Sequence, residues 1–240
     1  MSGSGAGDLI PRVEDLDLAF TGLWANSVKM DCGTLFFSDE MPNDVFFDKF
    51  AGITCLDEKT INDLLALFEQ HHTVPYFYLL EREDLEELLK RKGFKLYDTQ
   101  HVLAKAPSHS DKVAFRISQG EARRWAETFC RAYDCMDWLG PVKAAVGNTA
   151  TSIEYYLDKS KGSCMALYEK NLILGLYCLG TVPSMRKMGL AASLVEFAAG
   201  EAKRRGLEVL MLETYQRDGL VNFYTRLGFR EIYRKKIYTT

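Results

Sequence analysis

The stretch from Leu172 to Gly206 constrains this chain more than any other. Leu172-Ile173-Leu174-Gly175-Leu176-Tyr177-Cys178-Leu179 is a mostly apolar run of strand length. Beyond it Leu190, Ala191, Leu194, Val195, Ala198 and Ala202 recur at helical spacing, and Gly206 offers a C-terminal cap. Between the two lies Val182-Pro183-Ser184-Met185-Arg186-Lys187-Met188-Gly189. A strand that turns sharply into a helix leaves backbone N–H groups unpaired at the helix start. Those donors, with a fractional charge of about +0.5, attract anions. Gly189 lets a ligand approach the backbone closely, the small Ala191 helps, and Arg186 adds a planar fork suited to phosphate. The turn reads as a pyrophosphate cradle, with an ordinary basic strand-to-helix turn as the plain alternative. No Gly-Lys-Ser/Thr follows and the G-x-G-x-x-G spacing is absent, so it is neither a Walker loop nor a dinucleotide loop.

Downstream, Glu208 to Thr214 has the composition of a strand. It leads through Gln216-Arg217-Asp218-Gly219 into Leu220-Val221-Asn222-Phe223-Tyr224-Thr225-Arg226-Leu227-Gly228-Phe229, a short helix that runs into a last strand from Arg230 to Tyr238. Arg186-Lys187-Met188-Gly189-Leu190-Ala191 resembles the Arg/Gln-x-x-Gly-x-Gly/Ala signature of the GNAT superfamily of N-acetyltransferases. A Tyr four residues before Gly-Phe resembles that superfamily's other recurring signature. The fold this resemblance implies is α/β (α+β), a GNAT-like mixed central sheet flanked by helices.

Composition sets wider bounds. A chain of 240 residues with 47% hydrophobic content fits a soluble globular protein with a sizeable core. A net charge of −3 favours neither nucleic acid nor an anionic membrane as the main partner. No apolar run reaches the roughly 18–20 residues that span a bilayer. Residues 1–12 read as a flexible lead without a signal-peptide pattern, so a cytoplasmic location is expected. The cysteines (Cys32, Cys55, Cys130, Cys135, Cys164, Cys178) form no C-x-x-C and are not spaced with histidines as metal ligands. Free buried thiols and no metal are the expectation.

The polar run 106–111 is the best candidate linker, and the halves on either side of it rhyme. The pairs Gly93-Phe94 and Gly228-Phe229 stand 135 residues apart, with Leu89 at the position that matches Tyr224. Val74 to Leu80 is a strand candidate and Ile61 to Gln70 a helix, placed as in the second half. The reading is a tandem of two related units. Residues 13–105 form a degenerate GNAT-like unit lacking both the anion turn and the Tyr, and 112–240 form the acetyltransferase domain. An unrelated α/β domain is the alternative for the first half. In the second, Val113 to Ile117 is a strand, Ser118 an N-cap, and Gly120 to Tyr133 a helix with Trp125, Phe129 and Ala132 on one face. Val142 to Val146 is a short second helix. Ile153 to Leu157 tips towards strand, and Ser163 to Tyr168 and Leu172 to Leu179 form a hairpin around Glu169-Lys170-Asn171.

The reaction the resemblance implies is direct transfer of an acetyl group from acetyl-CoA to a primary amine, with no metal. Backbone N–H groups at Leu179, Gly180, Thr181 and Val182 would polarise the carbonyl. Arg186, Lys187, Met188, Gly189, Leu190 and Ala191 would hold the pyrophosphate. Tyr224 matches the family's acid, which protonates the departing thiolate; packing on the CoA arm is its other reading. A carboxylate base often found in the family would fall at Gly175. Glu213 on the next strand is the nearest substitute, unless it points to the far face. A lysine amine at pKa ~10.4 lies about three units from neutral at pH 7, an α-amine at ~8 only about one, so a weak base favours the latter. Arg217 stands where the family often has Asn. Trp138, Tyr177 and Tyr215 are candidates to line the acceptor site, with core packing as the alternative. The acceptor is a small molecule or a peptide, and oligomeric state is left open. A non-catalytic acyl-CoA-binding sensor or scaffold is the second reading, favoured by Gly175.

Overall fold

A computed structural model describes residues 6–240. Of the lead expected at 1–12, residues 1–5 lie outside the described residues, whereas the chain is helical from Ala6 onward. In chain order the elements are α1 (Ala6–Trp24), β1 (Asn26–Met30), β2 (Gly33–Phe37), β3 (Lys49–Ala51), α2 (Glu58–Gln70), β4 (Tyr76–Leu80), α3 (Glu83–Arg91) and β5 (Lys95–Lys105). There follow β6 (Phe115–Arg116), α4 (Ala122–Tyr133), α5 (Leu139–Thr149), β7 (Glu154–Leu157), β8 (Ser163–Lys170) and β9 (Ile173–Thr181). The chain ends with α6 (Leu190–Arg204), β10 (Val209–Tyr215), α7 (Val221–Arg226) and β11 (Arg230–Thr239). The expected fold class, mixed sheets flanked by helices, is what these elements build. No helix among the described residues is long and apolar enough to cross a membrane.

The chain divides into two compact units drawn from non-contiguous stretches. The first comprises residues 1–102, 214–221 and 231–240; the second comprises 103–213 and 222–230. In the first, β1, β2 and β3 pair antiparallel in turn, β3 pairs parallel with β4, and β4 pairs antiparallel with β11. One core cluster gathers Phe50, Ile61, Leu64, Phe68, Phe77 and Tyr238. Helix α2 starts where Asp57 accepts the N–H of Thr60 at 2.7 Å, and it buries Ile61, Leu64 and Phe68 at helical spacing.

In the second unit β6, β7, β8 and β9 are antiparallel neighbours, and β9 pairs parallel with β10. The β8–β9 turn is Asn171-Leu172, both left-handed (φ 55° and 60°), between the paired Lys170 and Ile173. This is a two-residue hairpin one position later than the sequence placed it. Alternate strand residues Leu174, Leu176, Leu210 and Leu212 bury against Leu194, Val195, Ala198 and Ala202 of α6. The opposite face takes α4. Trp125 is fully buried, packs edge-on to Tyr155 with centroids 4.8 Å apart, and donates its indole N–H to the carbonyls of Tyr156 and Met165, each at 3.1 Å. The Tyr155-Tyr156 pair that tipped the sequence reading towards strand thus serves both faces, since Tyr156 meets Phe197 of α6 at 5.1 Å. Ser118, expected as the N-cap, does not cap α4: the helix begins at Ala122 with Glu121 as its N-cap, after a 3-10 turn, and Ser118 instead donates its N–H and hydroxyl to the Glu121 carboxylate at 3.1 and 3.0 Å.

Three helices end alike. Leu207 N–H bonds Ala202 C=O and Gly206 N–H bonds Lys203 C=O at the end of α6, with Gly206 at φ 68°. Phe94 and Gly93 make the same pair of bonds to Leu89 and Lys90 after α3, and Phe229 and Gly228 make them to Tyr224 and Thr225 after α7. The two Gly-Phe turns read from the sequence therefore share one geometry. The strands that follow them begin at Lys95 and Arg230.

Candidate active site

The second unit concentrates unusual backbone at the end of β9 and in the turn after it. Pairing of β9 with β8 jumps from Tyr177–Ala166 to Gly180–Cys164, so three steps on β9 face two on β8. Cys178 and Leu179 together oppose Met165, a β-bulge, and Cys178 sits at φ 54°. A non-glycine residue held left-handed in mid-strand is strained and persists only where its surroundings enforce it. The bulge removes Leu179 from one-to-one pairing. Of the four amides expected near the thioester, that of Val182 is already used, donating to Gly162 at 2.9 Å.

The end of α4 fixes this opening. Tyr133 donates its hydroxyl to the Leu179 carbonyl at 3.0 Å. Gly180 leaves room for that helix: a Cβ there would stand 2.8 Å from Ala132 Cβ and 2.9 Å from Tyr133 Cε2. Ser163 Oγ closes the far side by donating to Gly180 C=O at 2.7 Å. Glycine inside an apolar strand was the available signal for a bulge or a close approach. The left-handed Cys178 and the anchoring role of Tyr133 carried no signal of their own.

Past β9, Pro183–Met185 forms a 3-10 turn, and Met185 lies over Gly162, where a Cβ would collide with its sulfur. Lys187 (φ 65°) and Gly189 (φ 81°) are left-handed and, with Met188, exposed. A Cβ on Gly189 would meet no atom within 4 Å, so the space above this turn is open. Ser193 N–H donates to Gly189 C=O at 3.0 Å as the first helical bond of α6. The N–H groups of Leu190, Ala191 and Ala192 therefore precede it, where a helix offers donors to an anion. Arg186 is committed differently from the sequence expectation. Its Nη2 donates to Ala132 C=O at 2.9 Å and its Nε to Thr181 C=O at 3.2 Å. It links α4, β9 and the turn, and its charge still adds to the positive potential there.

Tyr224 lies on α7, buried in the α6 core beside Phe223 and Phe229. Lys105 steadies that helix by donating to Leu227 C=O at 2.8 Å. Glu213 follows the Leu212–Leu176 pair and falls on the strand face of Met211 and Gly175, opposite α6, half-buried. Tyr177 is buried on that same strand face, and Trp138 is half-buried in the 3-10 turn between α4 and α5. Tyr215 belongs to the first unit. Its hydroxyl is 3.0 Å from that of Tyr78, and the Arg217 guanidinium lies 5.0 Å from its ring. A cavity of about 400 Å³ between β6, the first turn of α4 and the β7–β8 turn, lined by Phe115, Arg116, Arg124 and Lys161 among others, includes none of these residues.

A bulged strand, a left-handed glycine turn and a helix N-terminus thus follow one another in this order. Residues 158–229 match the acetyltransferase (GNAT) family. Solved structures agree in fold. A GCN5-related N-acetyltransferase from Kribbella flavida superposes with TM-score 0.69 at 17% identity, covering 100% of this chain and 96% of that one. One from Sphaerobacter thermophilus gives 0.61 at 15%, over 80% and 71%. A tandem GNAT protein from the clavulanic acid biosynthesis pathway gives 0.57 at 8%, over 80% and 74%. No curated protein matches the chain closely enough to count as a relative.

Proposed function

We propose that this protein is an acetyl-CoA-dependent N-acetyltransferase acting on a primary amine, with its chemistry in the second unit. The observation that carries this reading is the Cys178 bulge followed by the left-handed Gly189 turn at the start of α6. The amides of Leu190, Ala191 and Ala192 receive the pyrophosphate, and that of Leu179 meets the carbonyl oxygen as it gains charge. The amine nitrogen attacks the carbonyl carbon, the C–S bond breaks, and the Tyr224 hydroxyl gives its proton to the thiolate. Glu213 takes the amine proton, directly or through water, on the face that also carries Tyr177. Trp138 and Tyr177 line the acceptor side, for a small molecule or a peptide. The first unit is a GNAT-like repeat without chemistry, since Leu89 stands where the second has Tyr224. Six free cysteines suit a reducing compartment such as the cytoplasm.

The test is calorimetric binding of acetyl-CoA to the wild type and to an Arg186→Ala, Gly189→Glu double variant, then release of CoA with a panel of amines. Binding that the variant loses, and turnover that Tyr224→Phe lowers by about 10²–10⁴-fold with binding intact, is the expected result. Binding without turnover for any amine selects the second reading, an acyl-CoA sensor or scaffold, which Gly175 in place of a carboxylate favours. No binding by the wild type overturns both.

A further inference from the structure

The sequence offers no C-x-x-C pair, yet the fold brings thiols together beneath the β9 bulge. Cys130 lies on α4 and Cys135 just past its end, where Asp134 turns left-handed (φ 57°) and sends the chain back. Cys135 N–H donates to Cys130 C=O at 2.9 Å, and the two thiols are hydrogen-bonded. That backbone bond caps the Cα separation. A carbonyl oxygen is about 2.4 Å from its own Cα and an amide nitrogen about 1.46 Å from its own, so the two Cα atoms stand no more than about 6.8 Å apart, within the span of a disulfide. Cys164 lies near both, with its own Sγ 3.6 Å from Cys178 C=O. Among the described residues, no group of three or more His, Cys, Asp or Glu is placed to hold a metal ion.

We infer that Cys130 and Cys135 form a reversible oxidation site, converted to a disulfide by a peroxide-class oxidant. Cys135 is half-buried and meets the oxidant; Cys130 is fully buried, and burial pushes its thiol pKa up, so it stays a protonated thiol, shielded from the oxidant, until the sulfenic acid forms beside it. The Cys135 thiolate attacks one peroxide oxygen, the O–O bond breaks, and the sulfur becomes a sulfenic acid as hydroxide leaves and is protonated to water. Cys130 sulfur then attacks Cys135 sulfur and expels hydroxide, which takes the Cys130 proton. Two thiols and one hydrogen peroxide become one disulfide and two waters, and a dithiol reductant reverses the change.

The closed loop contains Ala132 and Tyr133, the residues that hold Arg186 and Leu179. Drawing the sulfurs together to about 2.05 Å re-sets that last turn of α4. The oxidation state therefore tunes the cofactor opening, a consequence that rests on the proposed function, whereas the thiol chemistry does not.

The experiment treats the reduced full-length protein with hydrogen peroxide, alkylates the remaining thiols and maps the cysteines by mass spectrometry. A dithiothreitol-reversible Cys130–Cys135 disulfide is expected, with Cys130→Ser leaving a dimedone-trapped sulfenic acid on Cys135. Oxidation of the exposed Cys55, alone or paired with its neighbour Cys32, while Cys130 and Cys135 stay reduced overturns the proposal. So does direct passage of Cys135 to sulfinic acid. Calorimetry of both wild-type states tests the second step, with a change of at least threefold in acetyl-CoA affinity expected, and equal affinity with the disulfide in place refuting it. Absence of binding in either state counts against the acetyl-CoA reading, and the mapping decides the thiol pair regardless.

Discussion

Adding one methyl group at Gly180 tests how the site is held open. The new Cβ would stand 2.8 Å from Ala132 Cβ and 2.9 Å from Tyr133 Cε2. Carbon atoms in ordinary contact keep about 3.5–4.0 Å, so each contact is short by roughly 0.6 Å or more. Both neighbours belong to the last turn of α4, and relief requires that turn to move off the sheet. Overpacking of this kind costs about 1–3 kcal/mol. The same movement stretches the bonds from Tyr133 to Leu179 and from Arg186 to Ala132, which stand at 3.0 and 2.9 Å. Their loss adds roughly 1 kcal/mol each. For a chain of this length, a total of about 3–5 kcal/mol lowers the thermal midpoint by roughly 6–20 °C. Gly147→Ala is the control. It lies in α5, a Cβ there meets nothing within 4 Å, and the gain in helix propensity should raise stability by about 0.5–1 kcal/mol. Circular dichroism melts and acetyl-CoA calorimetry on both variants give the readout. A Gly180→Ala protein that melts within about 1 °C of wild type and binds acetyl-CoA equally well refutes the claim that α4 buttresses the bulge.

Other expectations concern each unit separately. Asp48 is fully buried, and burial pushes its carboxyl up to about 6 against N–H bonds from Ser38 and Asp44 that pull it down. With the folded value above the unfolded one, the native state holds the extra proton, so stability falls as pH rises from about 4 to about 6, by at most ~3 kcal/mol. Asp48→Asn should flatten that slope in urea midpoints taken from pH 4 to 7.5. Leu172 is exposed and left-handed in a turn that glycine suits, so Leu172→Gly should raise the melting midpoint of the second unit, by about 1 kcal/mol in stability. Asp17 bridges Lys49 and Lys235 at 3.4 and 3.1 Å, all three buried. Asp17→Asn leaves Lys49 without its carboxylate and should cost about 3–5 kcal/mol in chemical denaturation.

Where structure follows from neighbours in sequence, the chain is readable. The hairpin, α6 with Gly206 past its end, and the two Gly-Phe turns all rest on residues within five positions of each other. The site divides along the same line. Gly189 and the start of α6 lie where the motif indicates, because a left-handed glycine before a helix is a local matter. Arg186 does not behave as the motif alone suggests, because its partner Ala132 is 54 residues away. The bulge at Cys178 is enforced by pairing with Met165 and by α4, neither visible from the residue itself. The pairing of β4 with β11 is the extreme case, since nothing in Tyr76 to Leu80 announces a partner near the other end of the chain.

That pairing has a consequence for how the protein is made. Tyr238 and Ile237 each complete a hydrophobic cluster of the first unit, and Lys236 and Tyr238 bond Glu86 from about 150 residues away. At a synthesis rate of about 5–20 residues per second, residues 1–102 wait roughly 7–28 s on the ribosome before that strand arrives. During that interval Phe77 and Leu79 lie on a strand with an open edge, the kind of surface that pairs with another nascent chain. The second unit, whose residues all precede 231, is free to fold first. The half made first is the half that must be completed last.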